Sequence, residues 1–237
     1  MSASVEAVAR VVVRHDPDFD WDFARERARE IDAHWRGLVA ARPQMFDGQV
    51  LLMRDARIAG DALHARAFVT RFRNFQAWKD FGFADPDVVN IFSMAALRSS
   101  DGAWMMGRMG AHTANAGQVY FPAGTPDLDD LRDGMVDLDA SAWRELGEET
   151  GLGSTDCAAR PGWVVVRDGA TVACMKVMDC SAPAGAIAAR VAAFLARESR
   201  PELDGLVAIR GPDDADAARA PRFIHAFLAA DGQAQPG

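Results

Sequence analysis

The chain has 237 residues, 49% of them hydrophobic and 25% charged, with a formal charge of −8. A chain of this length buries a sizeable core without metal or disulfide staples, and its acidity argues against a protein that coats nucleic acid, which needs clustered positive charge. No apolar run approaches the ~18–20 residues of a membrane-spanning helix. Residues 1–13, with Arg10 inside the apolar stretch, are not expected to be a secretion signal.

Residues 5–14 alternate and are β-branched, which predicts a strand. Asp16-Pro17-Asp18 breaks it. Phe23, Ala24, Ile31, Trp35, Leu38 and Val39 then recur near helical spacing over 19–41. Arg42-Pro43 ends that helix, because a residue before proline is pushed out of the α region. After the Asp47-Gly48 turn, 49–53 and 62–73 read as strands, and Asn74 caps a short helix reaching Trp78 or Phe81. Ala84-Asp85-Pro86 marks the expected boundary between an N-terminal β/α module, 1–86, and a second domain, 87–230, with 231–237 as a flexible tail.

In the second domain, 88–97 and 103–109 flank Ser99-Ser100-Asp101-Gly102, a hairpin signal. A short strand follows at 118–121, then a second hairpin, 163–167 and 171–178, around Asp168-Gly169. A helix over 184–197, a strand over 206–209 and a helix over 221–230 complete the order. Hairpins interspersed with helices predict an α+β fold and not a repeating βαβ sheet. Cys157, Cys174 and Cys180 form no C-x-x-C and have no neighbouring His. They are expected to be reduced thiols packed in strands of a cytoplasmic protein.

The chemistry concentrates in Arg144-Glu145-Leu146-Gly147-Glu148-Glu149-Thr150-Gly151-Leu152. Asp137 or Asp139 can cap a helix through Thr150, and Gly151 can supply the left-handed residue that ends it. On that helix Glu145, Glu148 and Glu149 share one face, near the end where the helix dipole disfavours anions. A divalent cation would relieve their repulsion, and oxygen-only ligands suit Mg²⁺ or Mn²⁺. Without one, the same residues read as a solvated acidic helix end.

This stretch matches every fixed position of R-E-U-x-E-E-x-G-U, U being aliphatic, the second half of the Nudix box. Upstream, residues 117–127, with Phe121-Pro122-Ala123-Gly124, resemble the strand and Gly-rich segment that leads into that box. The chain thus resembles a Nudix hydrolase. The resemblance implies an α/β/α sandwich with a mixed sheet, preceded here by the small N-terminal module. It also implies Glu148 and Glu149 as metal ligands, Glu145 as third ligand or as the base that activates water, Arg144 as the group that orients the glutamates, and Gly124 as a close backbone approach. The reaction it implies is attack of water on phosphorus of a diphosphate, with Mg²⁺ or Mn²⁺ as cofactor. A further carboxylate lies beyond the helix in many members; Glu198 and Glu202, 49 and 53 residues after Glu149, are the candidates.

Two positions depart from the family pattern. Gly124 precedes Arg144 by 20 residues, about six more than usual, which places an enlarged loop within 127–137. The loop glutamate that usually meets the box Arg is Val136 here, and Asp133, Asp137 or Asp139 could replace it. His112, Asn115 and Tyr120 precede the box and carry side chains able to meet sugar, phosphate or base. Trp35, Phe46-Asp47-Gly48, Phe75, Trp78, Asn90 and Gly124-Thr125-Pro126-Asp127 follow the order found in Nudix proteins that hydrolyse UDP-sugars.

The expected function is metal-dependent cleavage of a diphosphate linking a nucleoside to another moiety, such as UDP-glucose. ADP-ribose, coenzyme A derivatives and dinucleotides are the alternatives. A Nudix-like binding domain without turnover is another, although such domains usually lose a box glutamate. The expected partner is that small molecule, with neither nucleic acid nor membrane, and with a homodimer left open.

Overall fold

The computed structural model describes residues 3–113, 115–214 and 216–234. In chain order the elements are β1 (Ser4–Val8), β2 (Arg10–His15), α1 (Asp22–Glu26), α2 (Ala28–Ala41), β3 (Gln49–Ala59), β4 (Ala62–Arg71), α3 (Phe72–Asp80), β5 (Val88–Arg98), β6 (Trp104–Met109) and β7 (Val119–Tyr120). There follow β8 (Leu131–Arg132), β9 (Met135–Val136), α4 (Leu138–Thr150), β10 (Cys157–Ala159), β11 (Trp163–Asp168), β12 (Thr171–Cys180), α5 (Ala184–Leu195), β13 (Leu203–Ile209) and α6 (Arg222–Ala234). The fold is α+β, as the interspersed hairpins and helices predict.

The chain forms two compact units: Met1–Arg10 with Phe92–Gly124 and Leu138–Gly237, and Val11–Ile91 with Thr125–Asp137. Neither unit is one continuous stretch of chain, so the expected division at 86/87 needs correcting. Residues 5–14, expected as one strand, are two, because the chain bends at Ala9. β1 pairs antiparallel with β11, Val5 opposite Val166, and so belongs with the C-terminal strands. β2 pairs with β9 instead, Arg14 opposite Met135. Alternation along 5–14 reveals a strand but not its partner.

The first unit is a sheet with helices on both faces. The period-2 alternation of its strands sorts their side chains between two cores. Ala95, Leu97, Met105, Met109, Met178 and Cys180 pack with Ala142 and Leu146 of α4 and with Ile187, Val191 and Leu195 of α5. Met94, Ala96, Trp104, Met106, Ala173 and Met175 pack on the other face with Ile224, Phe227 and Leu228 of α6. Helix α6 extends to Ala234, so residues 231–234 are helical and not a tail. Trp104 Nε1 donates to Asp231 Oδ2 at 3.1 Å. The remainder of the expected tail, 235–237, lies outside the described residues.

The second unit is built on the long hairpin of β3 and β4, paired from Gln49 opposite Arg71 to Ala59 opposite Ala62 with a bulge between Arg54 and Arg57. The expected helix over 19–41 is broken at Arg27 (φ −100, ψ 18) into α1 and α2. Trp21, Phe68, Phe75 and Trp78 form its aromatic centre. Asp85 binds two indoles, accepting from Trp21 Nε1 at 2.8 Å on its side chain and from Trp78 Nε1 at 3.1 Å on its carbonyl. Asn74 is not a cap: α3 starts two residues earlier, at Phe72, and Asn74 Nδ2 donates back to Thr70 Oγ1 at 3.0 Å.

The enlarged loop is an ordered insertion. Asp127 and Asp130 form a reciprocal capping box around the 3₁₀ turn Leu128–Asp130. β8 and β9 then close a hairpin over Asp133 and Gly134, both at positive φ. Cys157 and Cys180 lie directly opposite on β10 and β12 and are disulfide-bonded, which corrects the expectation of three reduced thiols that accompanied the cytoplasmic reading. Twenty-three residues separate them in sequence, and only the strand register makes them neighbours. Cys174 is free and buried, and burial pushes its thiol up to about 12. No described helix is long and apolar enough to cross a membrane.

Gly151 ends α4 at φ +68, its N–H donating to Gly147 O at 2.9 Å. A Cβ there would lie 2.5–3.0 Å from the Phe194 ring of the α5 turn. Gly151→Ala is therefore expected to cost about 1–2 kcal/mol for the left-handed backbone, plus the displacement of Phe194. Gly169→Ala, with similar φ and open space around it, should cost the backbone part alone. Urea midpoints of the two variants check this difference; equal losses would remove Phe194 from the account.

Candidate active site

Helix α4 is held by its apolar side. Leu138, Ala142 and Leu146, spaced by four, are all buried, which fixes the rotation of the helix about its axis. Its first turn is tethered by Asp139, whose Oδ1 meets Lys176 Nζ at 2.6 Å. Lys176 in turn lies over the Trp163 ring at 4.6 Å. Asp139 is thus engaged as a tether for the helix.

That rotation places the three glutamates differently. Glu149 is 6% exposed, although its charge would favour water. Its Oε1 accepts the Ala123 N–H at 3.0 Å. Its Oε2 is buried with no hydrogen-bond partner among the described residues. Glu145 is next most enclosed, its side chain 13% exposed, and Glu148 is open at 61%. One nitrogen, Arg144 Nη1, reaches both, at 2.7 Å from Glu145 Oε1 and 3.3 Å from Glu148 Oε2. Arg144 thus spans two carboxylates through one nitrogen, an arrangement the sequence resemblance did not specify.

Gly124 leaves room for the Glu145 carboxylate. A Cβ on it would fall 2.5 Å from Glu145 Cδ and 2.9 Å from Oε2. The carboxylate occupies the volume that any other residue would fill.

Burial pushes the Glu149 carboxyl up to about 8; the Ala123 N–H opposes this, and the charges of Glu145, Glu202 and Glu148 add to it. Burial likewise pushes Glu145 up to about 7, with Arg144 opposing and Glu148 and Glu202 adding. Glu202 is thus within electrostatic reach of both glutamates. It directly precedes β13 and is seated by backbone: its carbonyl accepts the Gly110 N–H at 2.8 Å. Next to it, Leu203 packs where a Cβ on Gly107 would stand, 2.6 Å from Leu203 Cδ2. Glu198 is exposed just past α5.

Tyr120 on β7 joins the group, its phenol feeling the charges of Glu149 and Glu202. Asn115 Nδ2 donates to its hydroxyl at 3.0 Å. His112 is exposed, with its ring beside Gly110. The structure joins Arg144 to Glu145 and Glu148, Gly124 to Glu145 and Asn115 to Tyr120, puts Glu202 within electrostatic reach of Glu145, Glu149 and Tyr120, sets His112 beside Gly110, and leaves Glu198 exposed past α5. Sequence reading missed Gly107 and Gly110, whose only signal is their place in Met106-Gly107-Arg108-Met109-Gly110, and the backbone N–H of Ala123.

Among the described residues, no three His, Cys, Asp or Glu side chains stand close enough to hold a cation as they are. The donor chemistry nevertheless fits one. An orphaned buried carboxylate oxygen, a second enclosed carboxylate and two further ones at the rim form an oxygen-rich, acid-rich pocket suited to a hard divalent ion.

No family model and no curated protein matches the chain. Among solved structures it is similar to the crystal structure of a Nudix hydrolase from M. Smegmatis, RenU, at 15% identity over 62% of this chain and 86% of that one, with a TM-score of 0.39. It is also similar to the crystal structure of MutT protein from Methanosarcina mazei Go1, at 17% identity over 62% of this chain and 96% of that one, with a TM-score of 0.40.

The raised Glu149 value has a thermodynamic consequence. The folded protein holds this proton more tightly than the unfolded chain does. Its stabilising effect is complete below about pH 4.5 and is lost as pH rises through about 8. In EDTA the protein should lose stability across that interval, by an amount on the order of a few kcal/mol. Glu149→Gln, which keeps an acceptor for the Ala123 N–H and never ionises, should flatten the profile. Urea unfolding of both proteins at pH 5 and pH 8 measures this; an equally steep fall in the variant would assign the dependence to other groups.

Proposed function

We propose that this chain is a divalent-cation-dependent hydrolase of the Nudix type that cleaves the diphosphate joining a nucleoside to a second moiety. The observation that carries this reading is Glu149 Oε2, a buried carboxylate oxygen without a partner, placed by the helix that bears the box sequence. Burying such an oxygen is costly unless a cation or proton compensates it.

Glu149, Glu145 and Glu148 would hold Mg²⁺ or Mn²⁺, with Glu202 within electrostatic reach of Glu145 and Glu149. When bound, such a cation supplies charge neutralisation and Lewis acidity at the phosphoryl group. The chain's own groups do the remainder. Arg144 keeps Glu145 Oε1 engaged, and Gly124 lets the Glu145 carboxylate sit against backbone. If Glu149 and Glu148 hold the cation without it, Glu145, enclosed beside them, would instead be the base that takes a proton from an attacking water.

Within this class, the substrate we place first is a nucleotide sugar such as UDP-glucose, on the residue order Trp35, Phe46-Asp47-Gly48 and Gly124-Thr125-Pro126-Asp127. The engagement of both Glu145 and Glu148 by Arg144 favours one second reading, a domain that binds such a ligand without turning it over.

A phosphatase-coupled screen of UDP-glucose, ADP-ribose, coenzyme A and dinucleotides with Mg²⁺ or Mn²⁺ tests the proposal. Turnover is expected and should vanish in excess EDTA. UMP with sugar phosphate as products identifies the nucleotide-sugar branch, and AMP the others. Cation-dependent binding with no turnover would support the second reading, and the absence of both would overturn the proposal.

Glu149→Gln should stay folded and lose at least ~10²-fold in kcat. Glu202→Ala should cost at least ~10-fold more activity than Glu198→Ala, as expected of a residue that contributes charge or base character at the site. Equal effects of these two replacements would leave the box helix as the sole source of chemistry.

A further inference from the structure

We infer that Tyr120 is a hydrogen-bond donor to an anionic phosphoryl oxygen of the ligand, with Asn115 as the residue that aims its hydroxyl; this deepens the proposed function and rests on it. The geometry starts from valence. A phenol hydroxyl has one proton to give and lone pairs to receive. Asn115 Nδ2 donates to the Tyr120 oxygen at 3.0 Å. This bond occupies an acceptor site on the oxygen and leaves the hydroxyl proton free to be given elsewhere. Asn115 thereby sets the direction in which that proton is offered.

The surroundings define what can receive it. Tyr120 sits where the charges of Glu149 and Glu202 are felt, on the carboxylate side of the site. Its ring is pinned between both hydrophobic cores of the first unit, so the hydroxyl is held by a rigid lever and not by a mobile loop side chain. Burial holds the phenol at about 12, so it stays protonated in the neutral range and acts as a donor, never as a base. In a pocket otherwise rich in acceptor carboxylates, a neutral donor of fixed direction is the group that a diphosphate oxygen can use without repulsion. An aromatic ring used only for stacking on a base would gain nothing from the bond to Asn115.

Binding measurements decide between these two uses. The probes are methylenediphosphonate, which has no base, and the α,β-methylene analogue of ADP, each with Mn²⁺, measured by calorimetry on the full chain. Tyr120→Phe keeps the ring and should fold normally. It should weaken both probes by about tenfold, the size of one hydrogen bond to a charged group, with Mn²⁺ binding alone unchanged. Asn115→Ala should weaken both probes in the Tyr120 background and have no effect in the Tyr120→Phe background, because it acts only through the phenol.

Wild-type affinity for both probes in Tyr120→Phe overturns the inference and leaves the proposed function standing. Weakening confined to the base-bearing probe overturns it in favour of stacking. Failure of the wild-type protein to bind either probe overturns the inference together with the reading beneath it.

Discussion

The buried carboxylate of Glu149 is the constraint around which the site is arranged. An acid at 6% exposure resists burial, and α4 keeps it there because Leu138, Ala142 and Leu146 gain more by facing the sheet. Turning the helix to free the acid would expose that apolar row. The packing thus holds a charge-bearing group in an environment that raises its proton affinity, and the single N–H of Ala123 offsets only part of the cost. The oxygen that remains has no hydrogen-bond partner among the described residues, and it is the feature on which the proposed cation rests.

Glycines set how close the other parts come. Gly124 admits the Glu145 carboxylate, Gly107 admits Leu203, and Gly151 lets α4 stop against Phe194. Each is a place where a Cβ would occupy volume that a functional or core side chain already uses. Glu202 precedes Leu203, whose side chain packs over the bare Gly107, and its carbonyl accepts the Gly110 N–H. A carboxylate 53 residues beyond Glu149 in sequence thereby comes within electrostatic reach of it.

The insertion between Gly124 and the box helix has its own internal logic. Asp127 and Asp130 satisfy each other's backbone, and Asp133-Gly134 supplies the positive φ pair that a tight hairpin requires. The resulting β9 pairs with β2, so the extra residues are ordered in the second unit and do not hang as a loop. Val136 is a buried strand position in this arrangement, 5% exposed.

What the sequence by itself determined is local. Turn pairs such as Asp101-Gly102 and Asp168-Gly169 and the left-handed stop at Gly151 follow from short-range sterics, and they are where those rules place them. The tertiary structure alone decided which distant pieces meet. It sent β1 to β11 and β2 to β9, joined Cys157 to Cys180, and began α3 before Asn74. Strand alternation records which face is buried but not which edge is paired, and a carboxylate's spacing in sequence does not record its direction in space. Those choices rest on register and close packing across the sheet, which no short stretch of residues encodes.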